Sequence, residues 1–312
     1  MGMGKYILQR LLFTVFVILG ISILVFLITR VIGDPVSIML PLQASEEQRI
    51  ATTIQLGLDK PVMVQLGNFL KDAIRLDFGI SWWQRIPCFD VIAETLPMSV
   101  LLITAAMVIA IVVAIPLGII AAYKPNSLLD RVLTGGSLLG ISLPSFWVGL
   151  MLMLLFAVVL GWLPTSGIGA GSKLELKYLI MPAVTVALRP MGHLAQIVRF
   201  EMLNQLNSNY VITARAKGAM EAVILFRHAL KNIMTASITM IGSDYTKLLG
   251  GLSATVEVVF GWPGFGHLVK ETILNLDFPL LQAEVFVVAV FVCLINLTID
   301  ILYAALDPRI RY

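Results

Sequence analysis

Residues 209–231 read NYVITARAKGAMEAVILFRHALK. Arg215, Lys217, Arg227, His228 and Lys231 stand here against a single acid, Glu221, and apolar stretches lie on both sides. Val211, Ala214, Gly218, Ala222, Leu225 and Ala229 recur at spacings of three and four. That is the period of a helix with one apolar or small-residue face. Gly218 interrupts it. A mid-helix glycine costs about 1 kcal/mol against alanine, so it marks a bend or the close approach of another backbone. Two readings stay open at this point: a helix lying on a membrane with its basic side toward lipid phosphates, or a docking element for a soluble partner.

Working outward, composition decides the class. Of 312 residues, 58% are hydrophobic and 13% charged, about half the share usual in a soluble domain. Such a chain can bury its apolar side chains only in lipid, so it is an integral membrane protein in contact with membrane lipid, and the spans below make the expected fold an all-α polytopic one. The net charge of +3 says little alone, and no nucleic-acid partner is expected. Cys88, read as a loop residue, and Cys293, read as packing in an apolar span, are too far apart for a disulfide framework. Neither they nor the three histidines give metal-ligand spacing.

The apolar runs predict six spans: 11–28, 98–122, 133–160, 178–198, 233–252 and 281–305. About 20 residues are needed to cross a 30 Å hydrocarbon core. The first run follows Lys5 and Arg10 and is too long for a signal peptide's core, so it is read as an uncleaved helix. The third contains a break at Gly135-Gly136 or at Pro144, and the fourth is interrupted by Pro182 and Pro190. The linear division is 1–30 (first helix), 31–97 (outer loop with short helices), 98–305 (a five-helix core including a loop at 200–231) and 306–312 (tail). Within the outer loop, Ser45 followed by Gln48 spells a capping box, and 62–74 has helical apolar spacing.

Charges inside spans are expensive and tend to face protein or water. Arg189 lies in the fourth. Asp244 and Lys247, three apart in the fifth, share a helix face and can pair. Asn296 and Asp300, four apart, share a face of the last. These five are the candidate translocation-path or intramembrane polar residues. Outside the membrane, Gly261, Trp262, Pro263, Gly264, Phe265 and Gly266 form a stiff, apolar loop, framed by Glu257 and His267. It either packs as an outer gate or, more plainly, anchors Trp262 at the interface.

Six spans put both ends on one side. Short loops there hold Lys124, Arg131, Arg199, Arg215, Lys217, Arg227 and Lys231, and the ends add Lys5, Arg10, Arg309 and Arg311. Opposite short loops have Lys173, Lys177 and Lys270. The positive-inside rule therefore places both termini and the basic segment in the cytoplasm.

The sequence TARAKG, followed by RHALKN and a further hydrophobic span, resembles the cytoplasmic "EAA" loop of bacterial ABC importer permeases. The variant is that of the dipeptide, oligopeptide and nickel permease family. LGLDKP, LDFGIS, GWLPTSG, GWPGFG and the DPRIR tail extend the resemblance over nearly the whole chain. Thr213 stands where the family name implies glutamate, and Met234 where related chains often carry proline.

The resemblance implies the type I ABC importer permease architecture. It implies a homologous second permease as partner, two ABC ATPase subunits below and a periplasmic solute-binding protein above. It also implies that Tyr210, Thr213, Ala214, Arg215, Ala216 and Lys217, with Gly218, Arg227 and His228, couple the chain to an ATPase. No Walker A sequence occurs, so ATP and Mg belong to the partners; no cofactor and no catalytic residue are expected in this chain. Peptides are the expected solute, with nickel, glutathione or another small solute as alternatives. A stand-alone secondary transporter would call for internal repeats, and none is evident. A scaffold with no transport role would not explain the intramembrane charges.

Overall fold

The computed structural model describes residues 3–32, 36, 40, 44–169 and 174–306. Lys173, Gly33-Asp34-Pro35 and the DPRIR tail lie outside them. Among the described residues there is no named strand, and helix dominates. The helices are α1 (Met3–Ile32), α2 (Glu46–Gln55), α3 (Val62–Ile74), α4 (Cys88–Tyr123), α5 (Leu128–Ser142) and α6 (Ser145–Met153). There follow α7 (Leu176–Leu206), α8 (Asn209–Ala216), α9 (Leu230–Lys247), α10 (Ala254–Val259), α11 (Phe265–Leu274) and α12 (Phe278–Leu306). Three π-helical turns, Leu154–Val159, Ile224–Ala229 and Leu248–Leu252, extend α6, precede α9 and follow it.

Among the described residues, three helices are long and apolar enough alone to cross a membrane: α1 over Leu8–Thr29, α4, and α12 over Phe278–Ile301. The third expected span is α5 and α6 together, bent by 104°. The break falls at Pro144, whose ring cannot continue α5, while Gly135 and Gly136 stay helical. The fourth and fifth spans are α7 and α9. Arg189, His193 and Arg199 make α7 too polar to face lipid all round, and Asp244 and Lys247 do the same for α9. Both are sheathed by neighbours: α7 packs most heavily on α5 and α9 and also on α6. Counting α7 and α9 as enclosed spans, and the bent pair as one, gives six.

Two compact units cut the chain differently from the linear division. Met98–Pro263 with Ile295–Tyr312 forms one; Gly2–Pro97 with Gly264–Leu294 forms the other. The physical reason is that the first half of α12 belongs with the N-terminal part. The Gln282 amide donates to Thr29 Oγ1 at 2.6 Å, and Phe78 lies 5.3 Å from Phe286, ring centre to ring centre. Asp277 caps α12, accepting from Leu280 N at 3.2 Å, Trp83 N at 3.1 Å and Ser81 Oγ at 2.5 Å. Phe26 of α1 stacks on Phe69 of α3 at 5.7 Å. The capping box forms as expected, with Gln48 N donating to Ser45 Oγ and Ser45 N to Gln48 Oε1. Cys88 is no loop residue. It opens α4, fully buried.

The larger unit is built around α7. Its Leu194, Ala195, Val198 and Met202 share one buried cluster with Ala114, Ile119 and Ala122 of α4. Small residues let the backbones approach, as in membrane helix packing generally. A Cβ at Gly192 would lie 2.6 Å from the Ser137 carbonyl oxygen of α5, and one at Gly118 would lie 2.8 Å from that of Ala195.

Candidate functional site

The basic stretch is two helices, not one. The helix α7 continues to Leu206, beyond its expected end at 198, and α8 follows after a short turn. At the end of α8, Lys217 is the cap and Gly218 has φ +80°. Gly218 N donates to Arg215 O at 2.9 Å and Ala219 N to Ala214 O at 3.1 Å. This pair of bonds is a Schellman motif, which requires a left-handed residue at the position of Gly218. So Gly218 marks a bend, and not a close approach: no atom lies within 4 Å of where its Cβ would be. The RHALKN half belongs to the next helical run, entering through the π-turn Ile224–Ala229.

Val211, Ile224, Leu225 and Ala229 are buried in the same cluster as α4 and α7, with Ala214 packed against it. The apolar face of the segment is therefore spent on protein. Tyr210 ties the two ends together, donating to Gln205 Oε1 at 2.9 Å and accepting from Asn232 Nδ2 at 3.0 Å. Arg215 grips Glu221 across the Gly218 turn with two bonds, 2.8 and 3.3 Å, which push its guanidinium pKa further up. Outward remain Ile212, Thr213, Ala216, Lys217, Met220, Phe226, Arg227 and His228, all exposed. A surface mixing cations with exposed Met220 and Phe226 has the composition of a protein contact.

Within the spans, Asp244 and Lys247 do pair, at 3.5 Å. Asp244 is buried, whereas the Lys247 side chain is 52% exposed. His193 Nδ1 of α7 stands 3.4 Å from the other Asp244 oxygen. Sequence reasoning missed it because the two residues lie 51 apart. Thr246 donates to Asn296 at 3.3 Å, so Asn296 joins this region; Asp300 lies a turn further along α12. Arg189 is elsewhere. It is exposed and lines a cavity of about 330 Å³ at the α5–α6 bend.

The 261–266 loop is shorter than expected, since Gly264 caps α11 and Phe265 and Gly266 are its first residues. Trp262 is no interface anchor: it is fully buried and its indole donates to Met98 O at 3.0 Å. Gly261 (φ +56°) and Pro263 are the exposed members. Glu257 does not frame a surface. It is buried and accepts from Ser99 Oγ at 2.8 Å and Ser253 Oγ at 3.0 Å. A second missed polar contact is Arg199 with Asp130, a two-bond pair at 2.5 and 2.7 Å with the Asp130 side chain 4% exposed. Arg199 is expected from the sequence as a loop charge on the basic side, and nothing in the spacing of 69 residues links it to Asp130. Among the described residues no group of His, Cys, Asp and Glu is placed to hold a metal.

A bundle of long apolar helices with polar residues on its inner helices, and a basic loop anchored to protein, is that of a polytopic membrane protein. The chain belongs to the family described as binding-protein-dependent transport system inner membrane component, whose pattern matches residues 114–312. It is 36% identical to the oligopeptide transport system permease protein AppB of Bacillus subtilis (strain 168), over 99% of this chain and 100% of that one. It is 36% identical to the dipeptide transport system permease protein DppB of Alkalihalophilus pseudofirmus and 37% to the glutathione transport system permease protein GsiC of Escherichia coli O1:K1 / APEC. Those two likenesses also cover 99% of this chain and 100% of each relative.

Among solved structures, inward-facing MetNI methionine ABC transporter matches with a TM-score of 0.59 at 15% identity. That match covers 70% of this chain and 96% of the other, and it establishes the fold. The protein is thus a multi-pass inner-membrane permease component of an ABC importer. The family works with an ATPase and a substrate-binding protein.

Proposed function

We propose that this chain forms one half of a peptide-import pathway. Its other half is a homologous second permease, with two ABC ATPase subunits on the cytoplasmic side and a solute-binding protein outside. Both termini lie in the cytoplasm, in keeping with the excess of Lys and Arg in the loops on that side. The chain itself carries no catalytic residue and no cofactor; ATP and Mg are held by the partners. The observation that carries the reading is the end-to-end similarity to permeases named for oligopeptide and dipeptide transport. Similarity to a glutathione permease supports a second reading, a small thiol tripeptide as solute.

In this mechanism α8 and the Gly218 turn dock on an ATPase and pass its motion to α7 and α9. Tyr210, Arg215, Arg227 and His228 belong to that docking element, as do Thr213, Ala214, Ala216 and Lys217. Support comes from how firmly the element is built into the bundle, through Val211, Ile224 and Tyr210. The Asp244–Lys247 pair with His193, together with Asn296 and Asp300, lies along the path or its walls. Trp262 closes the outer gate by core packing.

The test is substitution at Gly218, where a branched side chain at positive φ costs about 1–2 kcal/mol. Gly218→Leu should leave the chain in the membrane but abolish peptide uptake and weaken co-purification with the ATPases. Gly218→Asn, which tolerates the left-handed region, should keep most of both. Normal transport by the Leu variant would show that the segment does not couple.

A further inference from the structure

The cavity at the α5–α6 bend is lined by backbone that has lost its helical partners. Pro144 has no N–H to give the carbonyl of Gly140, and Pro190 has none to give that of Val186. Gly140 and Val186 both line the cavity. Carbonyls at the end of α5 and N–H groups at the start of α6 are likewise left over by the 104° bend. At membrane depth such backbone is tolerated only where protein or a water-filled cavity satisfies it. The hydroxyls of Ser142, Ser145, Thr185 and Thr255 add polar lining, with Ser145 and Thr255 3.4 Å apart.

Among the described residues of this lining, Arg189 is the only ionisable one. It sits 13 residues into α7, about 20 Å along the helix at 1.5 Å per residue, and so deep in the span. It makes no ion pair with any described residue. An arginine at that depth, beside a volume in the range of about 300–1,000 Å³ usual for small-molecule sites, is a functional feature by its cost alone. Its forked guanidinium matches a carboxylate with two bonds. The orphaned carbonyls and hydroxyls offer acceptors for the N–H groups of the same molecule.

We infer that this cavity is a transit subsite for the solute, in which Arg189 receives a free carboxylate, the C-terminal one of a short peptide. The inference rests on the peptide-import reading and adds where in this chain the solute is held and by which of its groups. Recognition is of the carboxylate, not of side chains, which fits a permease that passes peptides of varied sequence.

The experiment uses the full transporter complex carrying Thr255→Cys, since Cys88 and Cys293 are buried and leave the new thiol as the accessible one. Modification by small anionic and cationic methanethiosulfonates is timed in the absence of binding protein. Relative to their rates with a free thiol, the anionic reagent should react about tenfold faster than the cationic one, the attraction of a cation lining a wet cleft. Adding Arg189→Gln should remove the preference, and Arg189→Lys should restore most of it. Millimolar trialanine should slow modification several-fold, whereas trialanine amide should not.

No modification, no charge preference, or equal protection by acid and amide would each overturn the subsite. An unmodifiable thiol would mean a dry cavity, and absent preference would mean that a partner's acid already neutralises Arg189. Uptake of trialanine by the complex without these substitutions is measured in parallel. Loss of that uptake refutes the import reading itself, whereas uptake without protection refutes only the subsite.

Discussion

At the scale of residues, two ion pairs of the same chemical kind differ in physics. Asp130 is buried and held by Arg199 through two short bonds. Removing the arginine strands a buried carboxylate, a loss of about 3–5 kcal/mol. Arg199→Met should therefore lower the melting temperature in detergent markedly, and adding Asp130→Asn should recover part of the loss. Lys247 reaches Asp244 at 3.5 Å from a half-exposed position, where pairs contribute about 0–1 kcal/mol. Lys247→Met should barely move the same melting curve; a loss equal to that of Arg199→Met would contradict this ranking. The i, i+3 pair was legible because helix geometry alone brings its members together. The stronger pair was not, because contacts between distant helices depend on packing that no local pattern encodes. His193 beside Asp244 and Ser99 beside Glu257 escaped for the same reason.

At the scale of elements, apolar run length placed every long helix, since membrane thickness sets a length that any such run must meet. Ends were less legible. The α4 helix begins ten residues before its expected start, because Pro97 does not stop a helix in this setting and Cys88 packs inward. The Gly218 turn was visible as an interruption, but its meaning as a helix end depends on two backbone bonds. The break in α5–α6 was narrowed to two places, and Pro144, which lacks a donor, prevailed over Gly135-Gly136, which merely lack side chains. Close packing around α7 gives a clean comparison of glycines. Gly192→Ala and Gly118→Ala put a carbon within 3 Å of backbone oxygen and should each cost about 1–3 kcal/mol. Gly135, helical and with nothing within 4 Å, should tolerate alanine or gain up to about 1 kcal/mol. Thermal unfolding of the three variants in detergent checks the order, and a destabilised Gly135→Ala would mean that the α5 surface is covered.

At the scale of the whole molecule, the chain is a permease component, and its intramembrane polar residues sit on α7, α9 and α12. The bundle buries Asp244 of α9 beside His193 of α7, while Lys247 and Arg189 reach its open faces. The same two helices flank α8, whose Val211 is buried in the cluster they share, so under the proposed coupling role movement of α8 would reach the polar interior directly. Composition alone announced the membrane, whereas the solute class comes from the names of relatives, because nothing in the sequence marks which polar residue would meet a peptide. The direct measurement is uptake of labelled trialanine into proteoliposomes holding the complete complex, with binding protein on the outside and ATP within. The account predicts accumulation that needs ATP, and that is lost both when the partner ATPase is catalytically inactive and when this chain carries Gly218→Leu. Accumulation that persists with an inactive ATPase, driven by an ion gradient alone, would contradict it.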